Sequence, residues 1–137
     1  MRRGLCLVLI VGLGCRPPQR PSFAKDIVGV WRSQGNARSP EPCQKASIEF
    51  RDDGTMFARS GRQTLTGTYS VEAGPSRLVV QQRNLSSNGQ PNCQEIPADY
   101  VLQHYVYTMY VDVHADTLPI YSQPEDQDPF LTTIRVR

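Results

Sequence analysis

No stretch of this chain is apolar for the roughly 20 residues that a helix needs to cross a bilayer. The longest candidate, Leu5 to Gly14, is about half that length, so no membrane-spanning helix is expected. Histidine is scarce: there are only two, and His104 has no acidic or nucleophilic neighbour arranged as a catalytic pair. G-x-S-x-G, H-E-x-x-H, the P-loop and the Rossmann glycine pattern are all missing. An enzyme is therefore not expected, and neither a cofactor nor a metal is assigned. Charge of one sign is lacking too, since 15 Lys and Arg stand against 13 Asp and Glu with no basic stripe, polybasic patch or acidic tail. A chain without that electrostatic footprint is not expected to take nucleic acid as a partner. Finally, no segment carries a helical apolar stripe.

What is present begins with Met1-Arg2-Arg3, a positive start, followed by the apolar Leu5-Cys6-Leu7-Val8-Leu9-Ile10-Val11 and the small-residue exit Gly12-Leu13-Gly14 before Cys15. This is the layout of an export signal covering residues 1–14. It resembles a bacterial lipoprotein signal, whose motif ends in a small residue and the cysteine that receives diacylglycerol. Such signals usually carry Leu three positions before the cysteine, where this chain has Gly12. The resemblance implies a lipid anchor at Cys15, a cell-envelope location, and the outer membrane in particular, because Arg16 stands where an Asp would signal inner-membrane retention. Gly12-Leu13-Gly14 also satisfies ordinary secretory cleavage at the same bond, and a secreted form is the alternative. With Arg2 and Arg3 removed from the 15 basic residues, 13 would face the 13 acidic ones.

Cysteine arithmetic bears on the anchor. Cys6 would leave with the signal, so Cys15, Cys43 and Cys93 form an odd set, and thioether attachment of lipid would remove the reactive thiol of Cys15. Cys43 and Cys93 then read as one disulfide of an oxidising compartment. Metal ligation is the weaker reading for them, since neither has a Cys or His close by in sequence. Residues 15–25, with Pro17, Pro18 and Pro21, read as an extended tether. Residues 26–137 read as one domain, expected to be a monomer.

That domain reads as short strands divided by turns. Ile27 to Arg32 is the first. Ser47 to Arg51 and Thr55 to Arg59 flank Asp52-Asp53-Gly54, a tight hairpin. Gln63 to Glu72 alternates, with Leu65, Gly67, Tyr69 and Val71 on one face. Arg77 to Gln82 runs back, and Asn84 to Pro97 reads as a loop held by Cys93. Tyr100 to Val113 reads as one long strand with Tyr105, Tyr107, Met109, Val111 and Val113 facing inward. Thr117 to Tyr121 follows, with Pro119 suggesting an edge or a bulge, and Phe130 to Val136 closes the chain. Eight such strands predict an all-β, antiparallel, up-and-down barrel with one disulfide, an open sandwich being the competitor.

Gly29-Val30-Trp31, Ile48-Glu49-Phe50-Arg51-Asp52-Asp53-Gly54-Thr55, Gly67-Thr68-Tyr69-Ser70-Val71 and Asp116-Thr117-Leu118 together resemble the lipocalin-like domains of small bacterial lipoproteins, over roughly residues 27–137. The resemblance implies that Trp31 plugs one barrel end, behind Gly29, under an arginine of the last strand. Arg135 is the position matched to that arginine, with Arg137 as second choice. It also implies a small apolar ligand or lipid as partner, beside the membrane reached through Cys15. Tyr105, Tyr107 and Met109 are the candidate ligand-lining residues, although strands favour such side chains for packing alone.

Two other readings stay open. One is a tethered protein-interaction or protease-inhibitor-like domain with a filled barrel, acting through the N-terminal arm or the 84–97 loop. The other is a weak hydrolase or metal protein using Asp112, His114 and Asp116, which would share one face of a strand. A solvated strand end explains those three residues equally well.

Overall fold

The computed structural model describes residues 24–35, 40–103 and 106–137. The expected export signal, Cys15 and most of the expected tether fall outside them, as do His104 and Tyr105. Eight strands make up a closed barrel in which each is hydrogen-bonded to the next in sequence: β1 Gly29–Ser33, β2 Ser47–Phe50, β3 Thr55–Ser60, β4 Gln63–Ala73, β5 Leu78–Ser87, β6 Val106–Val111, β7 Thr117–Tyr121 and β8 Leu131–Arg135. All pairings are antiparallel, and β8 returns to β1 through Trp31↔Arg135, Arg32↔Ile134 and Ser33↔Thr133. The barrel architecture holds, and the sandwich does not.

Local chemistry explains the hairpins. Gly54 has φ 84° in the β2–β3 turn, and Asp53 accepts the Thr55 backbone N–H at 2.8 Å, which fixes the point where β3 begins. In β4 the period of two is directly visible: Gln63, Leu65, Gly67 and Val71 are buried, while Thr66, Thr68, Ser70 and Glu72 are exposed. Gly67 stands at a bulge where the β4–β5 register shifts, and a Cβ there would lie 2.0 Å from the Arg83 carbonyl oxygen. No residue with a side chain fits that approach.

Three differences from the sequence reading follow from packing. The long strand from Tyr100 is interrupted: Ala98–Gln103 is a short helix, α3, and β6 begins only at Val106. Ala98 and Val101, three apart, are the buried residues of α3, so a single helical turn buries what an extended chain could not. The loop expected from Asn84 is strand as far as Ser87, because Asn84 pairs with Gly67 and Ser86 with Thr66. Pro119 is neither at an edge nor at a bulge, since the closed barrel has no edge and Pro119 pairs in register with Thr132. Its carbonyl accepts from Asp112 N–H, so its missing N–H also faces β6, and the β6–β7 ladder is only two residue pairs long. Two further helical turns, α1 Ala24–Ile27 and α2 Glu41–Gln44, are too short to have left a periodic signal. Ala24 and Ile27 of α1 join the core, so the packed fold reaches back two residues beyond the expected boundary at 26.

The topology sorts the connections to the two barrel ends. One end carries α1, the 51–54, 74–77 and 112–116 turns and the end of β8. The other carries α2 and the described residues between β1 and β2, the 61–62 turn, residues 88–103 with α3, and the 122–130 loop.

Candidate functional site

Trp31 closes the first end. It is wholly buried, and its indole N–H donates to the Ile27 carbonyl at 2.7 Å, fastening the last residue of α1 beneath the barrel. The Arg135 guanidinium lies over the indole, 4.2 Å from the ring centroid. Its Nη1 donates to the Val28 carbonyl and its Nη2 to the Asp26 carbonyl, each at 2.8 Å. Gly29 makes room for this: its φ is +137°, and a Cβ there would stand 2.7 Å from Arg135 Nη1. Arg137, the second choice, bonds instead to the Asp116 carboxylate at 2.7 Å and is exposed.

Above Trp31 the barrel is hollow. A cavity of about 180 Å³ is walled by Trp31, Ile48, Phe50, Met109, Val111 and Ile120. Towards the second end Ser33, Ser47, Ser60 and Thr133 join the lining, and Arg59 is the charged residue among the described ones that line it. A second hollow of about 340 Å³ opens at that end between β4, β5, β6 and the 122–130 loop, lined by Leu65, Gln82, Asn84, Tyr107, Met109 and Phe130 among others. Met109 borders both. Among the described residues lining the second hollow, none is charged.

Among the proposed ligand-lining residues, Met109 lines both hollows and Tyr107 only the outer one, with Tyr107 37% exposed at the mouth. Burial raises the pKa of the Tyr107 hydroxyl and the nearby Tyr100 adds to the shift, so this mouth group stays neutral at physiological pH. Tyr105 lies outside the described residues. Sequence reading missed Gln82 and Asn84, which turn inward from β5: Gln82 Nε2 donates to Asn84 Oδ1 at 2.7 Å inside the wall. Their signal was the continuation of the buried Val80 face at i+2 and i+4, which the polar composition obscured. Asn84 is 3% exposed, and its Nδ2 has no partner among the described residues.

The open end is braced covalently. Cys43 of α2 and Cys93 of the β5–β6 connection form a disulfide with Cα atoms 5.0 Å apart, tying two of the segments that ring the mouth. The 122–130 loop is held from outside the barrel: Arg77 stacks on Tyr121 at 3.3 Å, pairs with Asp112 at 3.2 Å and donates to the Pro124 carbonyl at 2.9 Å. Burial, followed by Asp112, raises the pKa of the Tyr121 hydroxyl.

Asp112, His114 and Asp116 do not converge. Asp112 faces Arg77, Asp116 faces Arg137, and His114 bridges to Thr117 in the turn. No group of three His, Cys, Asp or Glu suited to a metal ion occurs among the described residues. Comparison with protein-family models, with curated proteins and with solved structures found no match.

Proposed function

We propose that this protein is an exported, lipid-anchored, lipocalin-like binder that holds a small apolar ligand or lipid in its barrel and has no catalytic role. The observation that carries the reading is the apolar cavity floored by Trp31 and open towards a ring of connecting segments. An unfilled apolar space forfeits dispersion contacts, a cost that a bound molecule recovers. An apolar cavity of about 150 Å³ is enough to take up benzene, so one of about 180 Å³ suits a compact hydrocarbon group. The Cys43–Cys93 disulfide fits an oxidising compartment, and the anchor rests on the sequence around Cys15. An inhibitor-like domain would be expected to have a filled barrel, and the cavity counts against it.

Cyclohexane titration followed by the emission of Trp31, the sole tryptophan, tests the reading. Saturable change is expected in the native chain and its loss in Ala58→Phe, since Ala58 lines the cavity and a ring there would occupy it. An unresponsive native chain would overturn the proposal.

A further inference from the structure

We propose that the ligand is an uncharged, largely apolar molecule bearing one hydrogen-bond-accepting oxygen, its hydrocarbon part against Trp31 and its oxygen on Asn84 Nδ2. The inference rests on the barrel being a ligand binder and adds the chemistry that the site selects.

Asn84 carries the argument. A buried amide N–H left unpaired costs about 1–3 kcal/mol, and native proteins keep few such groups. Asn84 lines the outer hollow from the inner face of β5, and its unpaired Nδ2 is buried within that wall, where a small side-chain shift would bring it to a guest. The Asn84 carbonyl is already taken by Gln82 Nε2, so what the wall presents at this point is a donor, and its complement is an acceptor. Gln82 also holds the Asn84 side chain in place, so little freedom is lost when a ligand oxygen arrives.

The charge of that oxygen follows from its surroundings. Among the described residues no cationic side chain lines the outer hollow, whose walls there include Leu65, Met109, Phe130 and neutral polar groups. Arg59 of β3 is exposed, and it lines the inner cavity and not the outer hollow that holds Asn84. An ionised carboxylate placed against Asn84 would be desolvated without a counter-charge, which is far more costly than burying an ester or ketone oxygen. The two hollows together fall within the size range of small-molecule sites, and Met109, which borders both, is the side chain best able to shift as a chain threads past.

The experiment compares methyl octanoate, nonane and octanoate at pH 7, each titrated into the full chain and read by Trp31 emission, in the native protein and in Asn84→Leu. The ester is expected to bind at least about tenfold more tightly than octanoate, because only the ion must be stripped of water uncompensated. Asn84→Leu is expected to weaken the ester about fivefold, the equivalent of one neutral hydrogen bond, while leaving nonane unchanged. If neither ester nor nonane registers, the binding reading itself fails. If both bind and the variant treats them alike, water alone satisfies Asn84 and the subsite is wrong; octanoate binding as tightly as the ester overturns the neutral headgroup. Should Asn84→Leu not fold, the Asn84 side-chain amide protons of the native chain decide by NMR: a downfield shift with methyl octanoate but not with nonane supports the subsite, and no shift refutes it.

Discussion

Arg135 joins parts of the chain that sequence separates by more than a hundred residues. Its two 2.8 Å bonds reach Val28 and Asp26, its plane covers Trp31, and the whole arrangement depends on the empty side of Gly29. Hydrogen bonds from a charged donor together with a cation–π contact suggest a loss of about 2–3 kcal/mol in Arg135→Ala, after allowing for the partial exposure of the guanidinium. Arg135→Lys should recover little of it, since a lysine cannot reach both carbonyls with a planar fork while stacking on the indole. Urea unfolding followed by Trp31 emission measures both variants, and a lysine variant as stable as the native chain would contradict this account of the closed end. The aromatic and its glycine were legible in the sequence because G-x-W is a local pattern. Gln82 and Asn84 were not, because their meaning comes from closure of the barrel, which turns two polar residues of a strand inward to a mouth.

Among the elements, the hairpins were legible and the segment between β5 and β6 was not. Asp53 and Gly54 act within their own turn, so three residues suffice to place it. From Tyr100 onwards the tyrosines and valines carry high strand propensity, yet the burial of Ala98 and Val101 bends the start of that segment into α3. Side chains then hold the connection locally: Asn88 Oδ1 accepts the Thr64 and Gln90 N–H groups, and Asn92 Oδ1 accepts those of Gln94 and Ile96. The disulfide adds a long-range constraint across a sequence separation of 50, for which the chain-entropy model gives roughly 4 kcal/mol. Replacing both Cys43 and Cys93 by serine should therefore lower the unfolding free energy by about 2–4 kcal/mol while the β4–β5 ladder persists. Equal urea midpoints for the two proteins would contradict that role.

For the molecule as a whole, the barrel separates a fastened end from an open one. At the fastened end α1, Trp31 and Arg135 pack against one another across the barrel. At the open end lie a disulfide, a short helix and the Arg77-held loop, with an outer hollow whose described lining is uncharged and an inner apolar cavity that share Met109 in their walls. Phe130, 61% exposed beside that mouth, extends the apolar lining to the surface, as an entry route for a hydrocarbon would require. Strand number and hairpin order were readable from alternation and turns. The hollow was not, because a cavity is what eight inner faces leave unfilled between them and no one strand encodes it.

The most direct measurement is paired denaturing and native mass spectrometry of the protein purified from the membranes of a bacterial host. The account predicts a denatured chain lacking residues 1–14, carrying acyl mass on Cys15 and short of two hydrogens for Cys43–Cys93, together with a native spectrum holding an additional small noncovalent mass. An unmodified Cys15 and a native spectrum with no retained molecule would contradict it.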